Sequence, residues 1–195
     1  MLHGFIPQNP SNFTLDSIPD LSGKIALVTG GNTGIGYQTC LQLAKKKAKV
    51  YLAARSPERA NAAIKEMKAE DPSLQIIHLQ LELQDLSSVQ KASKEFQSKE
   101  DHLDILINNA GIMFTPFSFS KDGIEIQFAT NHLGHFYLTK SLLAHLFKSK
   151  AIPRVVNLSS VAHLGGPSQG ICTLEELNNE ATMNNLTRYG HSKLA

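Results

Sequence analysis

Short apolar runs alternate along the chain with longer segments in which apolar residues recur at helical spacing. The runs are too short for stable helices and are typical of strands buried on both faces of a parallel sheet. Gly30 and Gly31 bound the first run on its downstream side. The predicted strands are residues 25–28, 50–53, 76–81, 105–107 and 155–158.

The longer segments predict helices between these strands. Ser56 is placed as an N-cap before Pro57, and Asp85 is placed to cap the third helix. The predicted helices are residues 34–47, 57–70, 86–98 and 122–148, the last with a break near Gly134. Because strands and helices alternate without hairpin signals, the pattern predicts βαβ units and an α/β fold with a doubly wound parallel sheet.

Composition excludes several classes of protein. The chain of 195 residues has 19 Lys and Arg against 17 Asp and Glu, and this net charge of +2 indicates neither a nucleic-acid nor an anionic membrane partner. Cys40 and Cys172 are too few for a disulfide framework. No apolar stretch reaches the roughly 18 residues of a membrane span. We therefore expect a soluble cytoplasmic protein.

The first 20 residues differ from the rest of the chain. They are polar, show no period, and are interrupted by Pro7, Pro10 and Pro19. This pattern predicts an extended N-terminal arm over residues 1–20 and one folded domain over residues 21–195.

A glycine-rich turn follows the first predicted strand and leads directly into the first helix. Residues 29–36 have the sequence T-G-G-N-T-G-I-G. Glycines let the backbone turn tightly beside a pyrophosphate, and the free N–H groups of a helix start attract its charge. An ordinary strand-to-helix turn is the alternative, but the position after the first strand favours a dinucleotide site.

Unusual polar residues also follow the other strands. Arg55 ends the second strand, where an NAD site normally has Asp or Glu; a guanidinium there can pair with a 2′-phosphate, which predicts NADP(H). A surface arginine at a helix start is the alternative. N-N-A-G at 108–111 follows the fourth strand, and Ser159 and Ser160 follow the fifth. Since ligands of open parallel sheets bind beyond these strand ends, the clusters predict one shared site.

Tyr189 and Lys193 stand four residues apart, so on a helix they share a face. A phenol with a pKa of about 10 is a poor base at neutral pH, but a neighbouring ammonium favours the phenolate. Such a pair suits general acid/base chemistry. A surface i,i+4 pair is the plain alternative, and the other motifs favour the catalytic one.

Together these motifs resemble the short-chain dehydrogenase/reductase family. The resemblance covers about residues 21–195 and rests on T-G-G-N-T-G-I-G, A-A-R, N-N-A-G-I-M, T-N-H-L-G-H-F and Y-G-H-S-K-L-A. Within the family, the chain resembles the retinol-dehydrogenase-like and WW-domain-oxidoreductase-like branch. The resemblance implies a Rossmann-type fold and hydride transfer between NADP(H) and a small apolar alcohol or carbonyl substrate.

The resemblance also implies roles for individual residues. Tyr189 would donate or accept the hydroxyl proton, and Ser160 would hydrogen-bond the substrate oxygen. Lys193 would favour the phenolate and contact the nicotinamide ribose, and Asn131 would support Lys193 through water. Glu82 stands where the family usually has an Asp against the adenine edge. The implied cofactor-binding residues are Gly30, Asn32, Thr33, Gly34, Ile35, Gly36, Arg55, Glu82, Asn108, Ala110, Tyr189 and Lys193.

Other interpretations stay open. His132 and His135 stand three residues apart, but no third ligand has suitable spacing, so no metal site is predicted. A truncated noncatalytic dinucleotide-binding remnant and an NADP(H)-sensing protein are the alternative functions. Because the sequence ends two residues after Lys193, we expect a C-terminally incomplete sheet of five strands, from a fragment or a shortened gene product. For a full-length form the resemblance also allows a homo-oligomer.

Overall fold

Five parallel strands form one sheet in the order β3-β2-β1-β4-β5. The computed structural model describes residues 13–195, so residues 1–12 of the predicted arm lie outside the described part of the chain. The strands are β1 (Ile25–Thr29), β2 (Lys49–Ala54), β3 (Ile76–Gln80), β4 (Ile105–Asn108) and β5 (Arg154–Asn157). Each strand lies at a predicted apolar run, and the α/β architecture with a parallel, Rossmann-type sheet is confirmed.

Two apolar clusters cover the two faces of the sheet. In β1, Leu27 belongs to one cluster with Tyr51 and Phe96, whereas Val28 belongs to the other with Cys40. Successive residues of a strand point to opposite faces, so a strand covered on both sides must be apolar throughout. This explains why β1 and β2 appear in the sequence as continuous apolar runs.

Three helices follow the first three strands: α1 (Gly34–Lys45), α2 (Pro57–Glu70) and α3 (Leu86–Lys99). Both predicted caps are present. The Ser56 hydroxyl accepts the N–H of Arg59 at the start of α2, and the Asp85 carboxylate accepts the N–H groups of Ser87 and Ser88 at the start of α3. These bonds satisfy donors that have no partner within the helix.

The long helix predicted over 122–148 is shorter and more divided. It consists of α4 (Ile126–Phe128), a π-helical turn (Ala129–Leu133) and α5 (Gly134–Phe147). The predicted start at Asp122 is wrong because Gly123, at φ +74°, lies in a turn closed by a 2.8 Å bond from the Ser120 N–H to the Ile124 carbonyl. The predicted break near Gly134 corresponds to the junction between the π-helical turn and α5.

The polypeptide after β5 forms three short helices. A 3₁₀ helix covers Val161–Gly165, α6 covers Leu174–Leu177, and α7 covers Asn185–Leu194. Of the predicted arm, residues 13–20 contain a 3₁₀ turn at Leu15–Ser17 and end in an ion pair between Asp20 and Lys47. Among residues 13–195, no helix combines the length and apolar character needed to cross a bilayer.

Candidate functional site

A cavity of about 580 Å³ opens beyond the carboxyl ends of β1 and β4. The chain runs from β1 to β2 and β3 on one side and to β4 and β5 on the other, so this is the switch point where open α/β sheets bind ligands. Ten of the predicted site residues line the cavity: Gly30, Asn32, Thr33, Ile35, Gly36, Arg55, Glu82, Ala110, Tyr189 and Lys193.

Gly36 lies so close to the start of the glycine turn that no side chain fits. A Cβ there would collide with the Gly30 carbonyl oxygen and lie 2.5 Å from Nδ2 of Asn109. Helix α1 begins two residues earlier, at Gly34, after Thr33, which within residues 13–195 makes no side-chain cap hydrogen bond. The first N–H groups of α1 are therefore available to an anion at the cavity.

One hydroxyl group fastens the loop after β4 to the end of β1. Thr29 Oγ1 accepts the N–H groups of Asn109 and Ala110, each at 2.9 Å. Asn109 Nδ2 also donates to the Thr29 carbonyl at 2.8 Å. These bonds hold Asn109 and Ala110 in the cavity wall.

Asn108 was predicted to bind cofactor, but the structure places it on the β5 side. Its Nδ2 donates to Asn157 Oδ1 at 2.7 Å and to Thr139 Oγ1 at 3.0 Å. It lines a separate cavity of about 380 Å³ between α5, β5 and α7. Of the two asparagines of the N-N-A-G sequence, Asn109 is therefore the one that lines the larger cavity, together with Ala110 and Gly111.

Two arginines stand at the β2 end of the larger cavity. Arg55 is 67% exposed, and its Nε lies 3.7 Å from Oε2 of Glu82, which follows β3. Arg59 lines the same cavity from the first turn of α2. It was missed from the sequence, although its spacing of four residues from Arg55 was a usable signal. The two cations make this end of the cavity suited to a phosphate group.

Tyr189 and Lys193 both face the cavity from α7. Lys193 Nζ lies 6.0 Å from the centre of the Tyr189 ring and donates to the Leu158 carbonyl at 2.9 Å. Burial lowers the pKa of Lys193 from its usual value. A phenol and an ammonium group are thus brought together in the wall, which is the pairing that acid/base chemistry requires.

Asn131 lies in the π-helical turn, next to this pair. Its Oδ1 accepts the N–H of Ile112 at 2.8 Å, and its Nδ2 donates to the Ile112 carbonyl and to Ser192 Oγ, each at 2.9 Å. A Cβ built on Gly111 would lie 3.4 Å from Asn131 Oδ1 and 3.5 Å from Lys193 Nζ. Asn131 therefore stands close to Lys193, but it lines the smaller cavity.

The two serines after β5 have different surroundings. Ser159 lines the larger cavity, and its Oγ donates to the Lys193 carbonyl at 2.8 Å. The Oγ of Ser160, which was predicted to be catalytic, accepts the N–H of Ala162 at 3.2 Å and caps the 3₁₀ helix. Ser159, rather than Ser160, thus lines the cavity together with Tyr189 and Lys193.

An apolar loop after β4 stands beside Tyr189. The Phe114 ring stacks on the Tyr189 ring with centres 6.4 Å apart and an angle of 26°. Phe114 has φ +56°, an uncommon value for a bulky residue, and both Phe114 and Met113 are more than half exposed. These two residues were missed because the loop shows no periodic pattern.

A buried arginine fastens the segment after α6 to α7. Arg188 is 1% exposed, and its Nη atoms donate to the carbonyls of Leu177, Asn179 and Glu180 at 2.8–3.0 Å. Its guanidinium centre also lies 4.5 Å from the centre of the Phe117 ring. Arg188 therefore connects α7 with the end of α6 and with Phe117 in the loop after β4. It is the residue directly before Tyr189.

The histidines of the T-N-H-L-G-H-F sequence are engaged with protein groups. His132 packs against the rings of Phe128 and Phe136, and both ring nitrogens of His135 contact hydrogen-bonding partners. Within residues 13–195, no three His, Cys, Asp or Glu side chains come together in a way that could hold a metal ion.

The chain is similar to known oxidoreductases. The sequence pattern of the short chain dehydrogenase family matches residues 24–172. The chain is 43% identical over 192 residues to an uncharacterized oxidoreductase of Schizosaccharomyces pombe, covering 96% of this chain and 57% of that protein. It is 42% identical over 175 residues to retinol dehydrogenase 12 of Mus musculus, covering 90% of this chain and 54% of that protein.

The chain is also similar to a solved structure. RhlG of Pseudomonas aeruginosa, a complex with NADP in its active site, matches with a TM-score of 0.69 and 27% identity, over 89% of this chain and 63% of that chain. The chain spans a little over half the length of the curated relatives it matches.

Proposed function

The chain belongs to the short-chain dehydrogenase family, and from this premise we propose that it is an NADP(H)-dependent oxidoreductase acting on a hydrophobic alcohol or carbonyl compound. The observation that carries the proposal is that the glycine turn and the Tyr189–Lys193 pair line one cavity. We assign this function to residues 21–195, with residues 1–20 as an N-terminal arm.

The residues around the cavity fit a phosphorylated dinucleotide. The volume of about 580 Å³ is in the range of small-molecule sites. The start of α1 offers N–H groups to a pyrophosphate. Arg55 and Arg59 stand where an acid would bind the ribose 2′-hydroxyl of NAD. Together with the NADP complex of RhlG, these features support NADP(H) as the cofactor.

The nicotinamide, when bound, supplies or accepts the hydride. The chain's own residues handle the proton and the oxygen. In the reducing direction, Tyr189 would donate its phenolic proton to the carbonyl oxygen of the substrate, and the Lys193 ammonium would stabilise the resulting phenolate. Ser160 by family resemblance, or Ser159 once its hydroxyl proton is released from the Lys193 carbonyl, donates a hydrogen bond to the substrate oxygen.

The surface beside Tyr189 supports an apolar substrate. Met113 and Phe114 are 55% and 51% exposed, so a hydrophobic compound next to Tyr189 would cover apolar area that water otherwise contacts. Burial of such area is favourable by about 25 cal/mol per Å². The similarity to retinol dehydrogenase 12 agrees with this substrate class.

The proposal is tested by titrating the purified protein with NADPH and with NADH, followed by assays with a panel of apolar aldehydes and ketones. We expect saturable binding that is tighter for NADPH, and turnover of part of the panel. Binding without turnover would indicate the noncatalytic binder or the NADP(H) sensor instead. Absence of dinucleotide binding would overturn all three functions.

A further inference from the structure

His135, the second residue of α5, is 5% exposed and has no role in the proposed chemistry. Its Nε2 lies 2.8 Å from Thr29 Oγ1, and its Nδ1 lies 2.9 Å from the carbonyl oxygen of Asn131. A buried imidazole with both nitrogens engaged is fixed in position and in protonation state.

The directions of these hydrogen bonds follow from the Thr29 hydroxyl. Its oxygen already accepts the N–H groups of Asn109 and Ala110, so both of its lone pairs are used. Its proton must therefore be donated, and His135 Nε2 at 2.8 Å is a better acceptor than the Ile107 carbonyl at 3.5 Å.

The ring of His135 is consequently neutral and carries its proton on Nδ1. That proton is donated to the Asn131 carbonyl at 2.9 Å. Burial, which lowers the pKa of His135 to about 4, agrees with a neutral ring at physiological pH. Both nitrogens of the neutral ring are thus satisfied, one as acceptor and one as donor.

The two partners of His135 belong to opposite sides of the candidate site. Thr29 holds Asn109 and Ala110 in the wall of the larger cavity. Asn131 holds Ile112 and contacts Ser192, the residue next to Lys193 on α7. Within residues 13–195, His135 is therefore the side chain that joins the Thr29 hydroxyl to the π-helical turn.

We propose that His135 is a positioning residue, which orients the Thr29 hydroxyl so that the loop after β4 is held in the shape that binds the dinucleotide. The inference rests on the proposed function, because it concerns the affinity of the same cavity for NADP(H). His135 acts through Thr29 and makes no contact with the reacting atoms.

The tautomer can be measured in the unmodified protein. Long-range ¹⁵N–¹H correlation spectra of its histidine rings should show His135 protonated on Nδ1 and unprotonated on Nε2 at neutral pH. A proton on Nε2 would reverse the bond to Thr29 and overturn the inference, whether or not any variant folds.

Three substitutions separate the two hydrogen bonds. His135→Phe removes both, His135→Asn keeps a donor at the Nδ1 position, and His135→Gln places an acceptor at the Nε2 position. We expect the Kd for NADPH to rise about tenfold in His135→Phe, as for loss of a buried hydrogen bond, and to be largely restored only in His135→Gln.

Thr29→Val removes the other partner of the hydrogen bond between His135 and Thr29. If His135 acts through Thr29, the double variant Thr29→Val/His135→Phe should bind NADPH no more weakly than the weaker single variant. His145→Phe, near the other end of α5 and outside the cavity wall, is the control and should leave Kd unchanged.

A structural role alone would give a different pattern. A lower Tm in His135→Phe with an unchanged Kd, equal Kd values for the Gln and Asn variants, or additive effects in the double variant would each overturn the inference. Failure of the unmodified protein to bind NADPH would overturn the proposed function itself. That result is distinguishable from the others because it is measured on the unmodified protein, before any variant is compared with it.

Discussion

The β1–β2 end of the sheet and the β5–α7 region contribute the two parts of the candidate site, and different forces hold them. All five residues of β1 and five of the six in β2 are buried between the two apolar clusters. All four residues of β5 are exposed. Around α7, hydrogen bonds from polar side chains hold the chain in place. Arg188 donates to three carbonyls, and Lys193 donates to the carbonyl of Leu158.

Because the two regions are held differently, we expect substitutions in the β1–β2 region to affect cofactor binding and substitutions around α7 to affect the reaction. Close apolar and backbone packing shapes the region that we assign to the dinucleotide, so changes there should reduce stability and binding together. Directional hydrogen bonds position Tyr189 and Lys193, so polar changes there should alter the reaction or local order while the β1–β2 region stays intact. The following substitutions test that division.

Gly36→Ala should have the largest effect. The added Cβ would collide with the Gly30 carbonyl and crowd Asn109, so we expect loss of measurable NADPH binding and a decrease of about 1–3 kcal/mol in the free energy of unfolding. Gly165→Ala is the control, because in the described chain no heavy atom beyond its neighbours lies within 4 Å of that Cβ. Denaturant unfolding and NADPH titration measure both quantities. Wild-type affinity in Gly36→Ala would contradict the assignment.

Tyr189→Phe should separate the two regions most cleanly. Removing the phenolic proton should lower kcat about 10²–10⁴-fold, the usual contribution of a general acid/base. The ring and its stacking on Phe114 are kept, so the Kd for NADPH should change little. Steady-state kinetics and titration of the same preparation give both values. Tyr137→Phe, on α5 and outside the cavity wall, is the matched control.

Acid should destabilise the protein through His135. Burial lowers its pKa in the folded protein from 6.5 to about 4, so the unfolded chain takes up the proton first. The stabilisation is complete above pH 6.5 and is lost as the pH falls from there through 4, by about 3 kcal/mol in all. Lys193 and His132 add to this by repelling the charged ring. Urea unfolding at several pH values should show the free energy of unfolding decreasing as the pH falls from 6.5 through 4. His135→Phe should lack the part of this decrease that His135 contributes.

Arg188→Met should loosen only the α6–α7 segment. The substitution leaves the carbonyls of Leu177, Asn179 and Glu180 without the Arg188 donor, and we expect a cost of about 1–3 kcal/mol. Hydrogen exchange should accelerate over residues 173–184 and stay unchanged in β1 and β2. Arg154→Met, at an exposed position of β5, is the control. Equal acceleration in β1 would show that the two regions are not held separately.

Glu82→Gln should have the smallest effect. It removes the carboxylate that lies 3.7 Å from Arg55, which leaves the guanidinium free for a 2′-phosphate. Because Arg55 is largely exposed, we expect NADPH to bind only up to about threefold more tightly, with NADH unaffected. Glu66→Gln, on α2 away from the cavity, is the control. A weaker affinity for NADPH would instead indicate that Glu82 binds the cofactor directly.

The contrast between local packing and contacts across the fold also explains how much could be predicted from the sequence. The five strands, the caps at Ser56 and Asp85 and the place of the glycine turn follow from local patterns of apolar, glycine and capping residues. The start of the long helix was misplaced because the turn around Gly123, rather than helix propensity, decides where it begins.

Side-chain direction could not be predicted, because it depends on contacts between distant segments. Asn109 and Asn108 are adjacent and chemically identical, yet Thr29 holds one at the larger cavity and Asn157 binds the other. Ser159 and Ser160 differ in the same way. The link from His135 to Thr29 spans 106 residues and leaves no local signal in the sequence.

Hydride transfer between NADP(H) and an apolar carbonyl compound at Tyr189 is the central step of the function that we propose. The most direct measurement uses NADPH with deuterium at both hydrogen positions of the nicotinamide C4, with an apolar aldehyde that the protein turns over, and locates the label in the product by mass spectrometry. We predict deuterium on the carbinol carbon with the unmodified protein and almost no labelled product with Tyr189→Phe. Unlabelled alcohol, or labelled alcohol formed equally well by Tyr189→Phe, would contradict the account.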